Sequence, residues 1–323
     1  MLAIDACSIP ESDLRSDCVA WTVSISKAGV RSQCEGIARR FSRSPVHKCA
    51  DHQNFFRRLL TDFRPSPPEA DPDLIVSCGW RGERAVGRLK VQLRKKPLSV
   101  LLQRPKEDVF DLAFISSYAW RPSDADNARY HRMIGVPVSV TPLSVAARRP
   151  QARALYAPSG QKVATVLIGG SNGAYIFAPG AVSELERAIR SLGRQGWRVL
   201  VSTSPRTDAP AFEALRNIED ENVLVWDRNG DNPYRDYLAA ADALLVTRDS
   251  MTMPCEALAT GKPVYIFDLA QVPSLRLAKF ERFHDEFENE FRLTRSFRGS
   301  LDPYDYPVLD EASRIADIIR SRM

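Results

Sequence analysis

Short apolar runs alternate with helical patterns along most of the chain. "CVAWTVSI" (18–25) predicts a strand, followed by a polar turn, "SKAGVRSQ" (26–33), and a helix, "CEGIARRFSR" (34–43). "PDLIVSCGW" (72–80) predicts a second strand, ending in Gly79 and leading into a basic helical stretch, "RGERAVGRLKVQLRKK" (81–96). "PLSVLLQ" and "FDLAFIS" predict further short strands. Apolar runs separated by helical patterns belong to parallel sheets covered on both faces.

The second half repeats this architecture without repeating the sequence. Strands are predicted at 162–169, 197–204, 222–226, 242–247 and 263–267, with helices near 180–193, 210–217, 233–241 and 252–260. In the last segment, "LDEASRIADIIRSRM", Leu309, Ala312, Ile315, Ala316 and Ile319 share one helical face. Between Pro142 and Lys162 periodicity is weak and prolines and basic residues gather, which marks a linker. The expected fold class is therefore α/β, two Rossmann-like doubly wound domains facing across a cleft. The expected domains are 1–150, with helix 308–323 packing back onto it, and 151–307. Open α/β sheets bind ligands beyond the carboxyl ends of their strands.

Composition adds limits. A chain of 323 residues fits one large or two medium domains. Hydrophobic content of 44% and charged content of 26% describe an ordinary globular protein. No apolar run approaches the ~20 residues of a membrane span. The first fifteen residues carry acids and no signal-peptide core, so a cytoplasmic location is expected. Cysteines at 7, 18, 34, 49, 78 and 255 show no CxxC or zinc spacing. They read as reduced thiols, and no metal site is expected.

The net charge of +5 is unevenly placed: Arg81 to Arg104 holds eight Lys or Arg and one acid, Glu83. The stretch is either a solvated helix face or a patch that meets an anionic surface. For the second reading, lipid phosphates are favoured over nucleic acid, because no zinc-finger, RRM or basic-zipper pattern accompanies it. Arg94, Lys95 and Lys96 are its membrane-facing candidates.

Three turns in the second half could hold a phosphate. A strand runs into Gly169, Gly170, Ser171, Asn172 and Gly173, where glycines let backbone amides approach an anion. Neither a Walker loop nor a GxGxxG fingerprint is present there, and a simple tight turn is the alternative. "STSPRTDAP" places Ser204, Arg206 and Thr207 at a strand-to-helix junction, where an arginine can grip a diphosphate or merely lie exposed beside a capped helix.

The third is "LLVTRDSMTMPCEALATGKPVYIF" (244–267). Pro254 tolerates only the first helical turn, so the helix starts between Ser250 and Pro254, capped by Ser250 or Thr252. Gly261 closes it, with Pro263 beyond. Its amino terminus suits an anion, and Glu256 one turn inside could accept from a ribose diol or simply complement the helix dipole.

"GGSNGAYIF", "STSPRT", "NPYRDYLAAADALLVTRDSMTMPCEALATGKPVYIF", "GVRSQCEGIARRF" and "QRPKEDVFDLAFIS" resemble the mitochondrial-fission ELM-type family, best over roughly 160–270. Its bacterial members are regarded as GT-B glycosyltransferases. The resemblance implies that the C-terminal domain holds a nucleotide-sugar donor and the N-terminal domain meets the acceptor. By position, Gly170, Ser171 and Asn172 would face the diphosphate, Ser204 and Arg206 would flank it, and Asp249, Ser250 and Met251 would form the turn that donates to it. Glu256 would bind ribose, and Gly29 and Gln33 would lie on a turn near the reacting centre. The family tends to carry paired basic residues where this chain has Pro205 and Arg206, and a His–Asp pair where it has Ser117 and Tyr118.

Glycosyl transfer needs stabilisation of the departing diphosphate and often a base at the acceptor hydroxyl. The donor half has no DxD motif, which fits metal-independent transfer with no cofactor beyond the nucleotide-sugar co-substrate. His131, in "ARYHRMIGVP" before a predicted strand, is a candidate base or a structural histidine; Asp111 and His52 are weaker candidates. The expectation is a glycosyltransferase, peripheral at the inner membrane, acting on a lipid-linked or envelope glycan acceptor. Organellar relatives suggest a non-catalytic membrane adaptor instead, and the fold also suits a sugar-nucleotide 2-epimerase.

Overall fold

The computed structural model describes residues 18–51 and 71–323. The initial fifteen residues and His52 lie outside the described residues. The chain forms two compact units. One holds the described residues up to Ser139 together with Asp310–Met323; the other is Val140–Leu309.

The first unit is built on a six-stranded sheet: β1 Ala20–Ser24, β2 Val46–Cys49, β3 Leu74–Ser77, β4 Leu98–Leu101, β5 Leu112–Ser116 and β6 Tyr130–Met133. The strand order is β2-β1-β3-β4-β5-β6, and every pairing is parallel. β3 and β5 are buried on both faces, which is why their sequences read as unbroken apolar runs. β2, "VHKC", is an edge strand whose polar residues hid it from the hydrophobic pattern.

The first helix is Ala28–Ala38, so it starts inside the segment read as a turn. Val30, Cys34, Ile37 and Ala38 recur at helical spacing and pack on the core, and three residues suffice to leave β1. Gly29 and Gln33 therefore lie in a helix, not on a turn.

Helix Glu311–Arg320 completes this core. Ala312, Ile315, Ala316 and Ile319 join Ile37, Val76 and Phe114 in it. Asp310 pairs with Arg40 at 2.7 Å, and the Ile134 amide donates to Glu311 Oε2 at 3.0 Å.

The second unit carries β7 Val163–Ile168, β8 Tyr175–Ile176, β9 Arg198–Thr203, β10 Val223–Val225, β11 Ala243–Thr247, β12 Val264–Phe267, β13 Ala270–Gln271 and β14 Arg295–Ser296. The main sheet runs β10-β9-β7-β11-β12-β14, all parallel, and β8 and β13 form a small antiparallel pair. Its helices are Pro142–Tyr156, Pro179–Arg194, Ala209–Arg216, Tyr234–Ala240, Thr252–Leu258 and Leu275–Asp285.

The linker expected after Pro142 is instead helix Pro142–Tyr156, capped by Thr141, whose hydroxyl accepts from the Ser144 amide at 2.9 Å. Only Val145 and Ala152 are buried on it, so its apolar signal is weak. Charge holds it in place. Arg149 and Arg153 pair with Asp242 at 2.6 and 2.7 Å and also donate to carbonyls ending helix Tyr234–Ala240. The basic residues that suggested a linker are what anchor the helix.

The architecture is therefore α/β, with two doubly wound parallel sheets of the GT-B type. Among the described residues, no helix is long and apolar enough to cross a membrane.

Candidate functional site

In the second unit the order β10-β9-β7-β11-β12-β14 is that of a dinucleotide-binding sheet. Successive strands run outward from β7 to β10, and the chain then returns to place β11 against the other side of β7. At that reversal the connections after β7 and β11 leave in opposite directions and open a crevice at the strand ends. The glycine turn follows β7, the Arg248–Met251 turn follows β11, and the Ser204–Thr207 turn follows β9 beside them. The topology thus brings together all three turns singled out in the sequence.

Asp249 ties them together. Its side chain is fully buried, and one oxygen accepts from the Thr247 hydroxyl at 2.6 Å. The other accepts from the Gly170 amide at 3.0 Å and meets the Arg206 guanidinium at 2.6 Å. Burial raises the Asp249 pKa above the ordinary carboxylate value; Arg206, Thr247 and Gly170 offset that only in part. Thr247 also receives the Gly169 amide at 2.8 Å.

The glycines serve this packing. A Cβ on Gly169 would lie 2.0 Å from an Asp249 oxygen, and one on Gly170 would lie 2.1 Å from the Arg206 carbonyl. The amides of Gly169 and Gly170 thus turn inward to Thr247 and Asp249 and not, as their turn suggests, toward a ligand. The reason is the buried carboxylate, which needs donors more than the solvent-side crevice does.

The other predicted donor residues occupy the same rim. Ser171 is exposed, and its hydroxyl accepts from the Phe177 amide at 2.9 Å. Asn172 accepts from the Ala174 and Tyr175 amides and donates to the Asp249 carbonyl at 2.8 Å. Ser204 donates to the Gly169 carbonyl at 3.0 Å. The Arg206 side chain stays 40% exposed while paired with Asp249.

Ser250 is buried just before the short helix Thr252–Leu258, and its hydroxyl accepts from the Met253 amide at 3.1 Å; the N-cap position itself is Met251, not Ser250 or Thr252. Met251 is half-buried against the core. Glu256, 8% exposed, accepts from the Tyr234 hydroxyl at 2.7 Å. Burial and the adjacent carboxylate push the Tyr234 hydroxyl well up, so it remains a donor.

Several residues of this rim carry no sequence signal. Arg228 reaches from the loop after β10 to Thr203 Oγ1 at 3.2 Å and to the Thr207 carbonyl at 2.9 Å, its guanidinium carbon 4.0 Å from the Phe212 ring centroid. Only the fold reveals that its irregular loop supports the Ser204–Thr207 turn. Arg248 turns away from the rim and pairs with Asp268 at 2.8 Å. Its carbonyl accepts from His284 Nε2 at 2.8 Å. Burial, with Arg248 nearby, drops the His284 pKa to about 3, so this histidine is neutral and fixes the turn.

Candidates in the first unit are more scattered. Gln33 accepts from the Cys78 thiol at 3.4 Å, and Gly29 lies in the first turn of helix Ala28–Ala38. His131 lies within β6, not before a strand, and stacks on Phe114 at 5.3 Å between centroids. Burial, then Arg322 and Arg314, lower its pKa. It pairs in mid-strand opposite Phe114 of β5 and so lies away from the strand ends. Ser117 and Tyr118 are buried in the short turn that follows β5.

Asp111 accepts from the Ser99 amide and hydroxyl at 2.8 and 2.6 Å, just before β5 and so at the edge opposite the strand ends. Arg94, Lys95 and Lys96 are exposed in the turn beyond helix Gly79–Gln92. Lys95 is paired with Asp73.

Comparison with known proteins sets these features in context. An uncharacterized protein of Rickettsia prowazekii, RP120, is 29% identical over 50% of this chain and 47% of its own length. The mitochondrial fission protein ELM1 of Arabidopsis thaliana is 33% identical over 39% of this chain and 29% of its own length. The chain thus matches less than half the length of either relative.

Among solved structures, the S. aureus MnaA–UDP co-structure aligns with a TM-score of 0.50 at 10% identity, over 94% of this chain and 96% of that one. The Methanocaldococcus jannaschii UDP-GlcNAc 2-epimerase in complex with UDP-GlcNAc and UDP gives 0.50 at 10% identity, over 94% and 99%. At this identity the likeness establishes the shared fold. The family described as Mitochondrial fission ELM1 matches residues 28–323, nearly the whole chain, and this protein belongs to that family.

Proposed function

We propose that the second unit binds a nucleoside-diphosphate sugar at the β7/β11 reversal and that the protein is a metal-independent glycosyltransferase. The observation that carries the reading is the convergence of the glycine turn, Arg206 and the Arg248–Met251 turn at the strand ends of a dinucleotide-type sheet. In this reading Arg206 is the cation for the diphosphate, half-exposed and oriented by Asp249. Ser171, Ser204 and Ser250 line the phosphate path, with Gly170, Asn172, Asp249 and Met251 shaping the turns beneath. Glu256, oriented by Tyr234, accepts from the ribose. Neutralising the departing diphosphate by Arg206 requires neither metal nor cofactor. The acceptor is a lipid-linked or envelope glycan met by the first unit, at an anionic membrane surface; no nucleic acid takes part.

A second reading, a non-catalytic adaptor on the same scaffold, draws on one observation. Ser171, Asn172, Ser204 and Asp249 all bond to this chain's own backbone or side chains. An adaptor retains such bonds for folding alone.

Calorimetric titration with UDP, then GDP, CDP, ADP and TDP, separates the two. UDP comes first because both structural relatives are complexes with it. Saturable binding that Arg206→Ala and Glu256→Ala each weaken supports the donor site. Failure of every nucleotide to bind folded protein sinks it and favours the adaptor. If UDP-GlcNAc binds, proton NMR of the sugar distinguishes transfer or hydrolysis from epimerisation at C2, the remaining reading that the fold relatives suggest.

A further inference from the structure

We propose that the outer face of helix Gly79–Gln92 is a docking surface for an anionic phospholipid bilayer. This deepens the lipid-linked acceptor in the reading above and rests on it.

The helix presents two unlike faces. Its inner side packs through Gly82, Val86, Ala85 and Leu89, and a Cβ on Gly82 would meet the Val23 carbonyl at 2.6 Å, so the orientation is fixed. Its outer side carries Trp80, Arg84, Arg88 and Val91, all exposed. At 3.6 residues per turn these four positions fall within about 80° of arc. Trp80 is 48% exposed and Val91 86% exposed, one near each end of the stripe, with the two arginines between. The Arg81 and Arg84 guanidinium carbons lie 5.3 and 5.7 Å from the Trp80 ring centroid.

The acid of this stretch does not neutralise the face. Glu83 is 1% exposed, and its carboxylate turns inward, accepting from the Lys106 and Glu107 amides at 2.6 and 2.9 Å and from Gln103 at 3.2 Å. Glu107 approaches Arg84 only at 4.0 Å, with both side chains well exposed. Two arginines one helical turn apart repel each other, a small cost that an anionic partner removes. Cations flanked by a tryptophan and an exposed aliphatic residue suit a helix lying in the headgroup plane, tryptophan at the interface and guanidinium groups on lipid phosphates. The charge complementarity therefore centres on Arg84 and Arg88. In the turn beyond, Asp71 accepts from the Arg94 and Lys95 amides and Lys95 is spent on Asp73.

The test is co-sedimentation of the full chain with vesicles of equimolar phosphatidylcholine and phosphatidylglycerol, against pure phosphatidylcholine. Wild type is expected to bind the anionic vesicles, with the doubly substituted Arg84→Gln, Arg88→Gln protein weaker on the order of 30-fold. Brominated lipid is expected to quench tryptophan emission, and Trp80→Phe to abolish that quenching while binding persists. Circular dichroism and UDP titration on the same samples report folding and the donor site separately, so loss of membrane docking is distinguishable from loss of the nucleotide site. Absence of binding to anionic vesicles, or equal binding by the double variant, overturns the proposal. Retardation of an oligonucleotide that the double variant loses, without vesicle binding, overturns it in favour of a nucleic-acid surface.

Discussion

Both units have a reversal point in their sheets, and the two are built with different chemistry. In the second unit, β7 and β11 meet over a buried carboxylate, Asp249, linked to a hydroxyl, an amide and a guanidinium. In the first, β1 lies between β2 and β3: on the β3 side Ser77 Oγ donates to the Val23 carbonyl at 2.8 Å and Gly82 packs against both, and on the β2 side the partly exposed Asp51 accepts from the Ser26 amide at 3.0 Å. The second junction differs in burying its carboxylate and pairing it with a half-exposed cation at the strand ends. That difference is why the proposed donor site is sought in the second unit.

The largest expected effect comes from breaking the ion pair on its exposed side. Arg206→Ala leaves Asp249 buried with two neutral donors, and the expected loss is about 3 kcal/mol in urea unfolding. Adding Asp249→Asn should recover much of it, because the uncompensated charge is gone; full additivity of the two losses would contradict the coupling. Next are the glycines. Gly170→Ala and Gly82→Ala each force a Cβ onto a carbonyl and should cost about 1–3 kcal/mol. Only the first should also weaken nucleotide binding. Gly180→Ala, with nothing within 4 Å, is the control and should be neutral or slightly stabilising.

A pH experiment sharpens the comparison further. His284 is buried with a pKa depressed to about 3, so it binds no proton where the unfolded chain does. Stability from this group is present above about pH 6.5 and is lost as pH falls toward 3. At pH 5 the loss is about 2 kcal/mol, and His284→Gln should flatten the profile in that window. An unchanged acid slope would mean that His284 is not held neutral behind the Arg248 turn. The smallest pair is Thr247→Val against Ser77→Ala. The first removes two bonds at the junction of the buried carboxylate and should cost about 2 kcal/mol; the second removes one at the β1–β3 junction and should cost about 1 kcal/mol.

Much of the second unit was legible because its strands are apolar on both faces and its turns carry Gly, Pro and capping residues in plain sequence order. β7, β9, β11 and β12 lie where the runs predict them, to within a residue or two. What was illegible depended on charge or on edges. Helix Pro142–Tyr156 is held by arginines on Asp242, so hydrophobic periodicity could not find it. β2 and β6 are edge strands with polar residues, and β8, β13 and β14 are two residues each. The start of helix Ala28–Ala38 was misplaced because a short polar connection looks like a longer turn.

The sequence by itself determined the α/β alternation, the three polar turns and the residue types available at them, since those depend on local pattern. Only the tertiary structure decided that the turns share one end of one sheet, that Gly169 and Gly170 face Asp249, that Tyr234 and Arg228 support the rim, and that His131 lies elsewhere. Strand order and the partner of each buried charge are set by contacts far apart in the chain. Local propensity does not encode them; the requirement that a buried carboxylate be satisfied does.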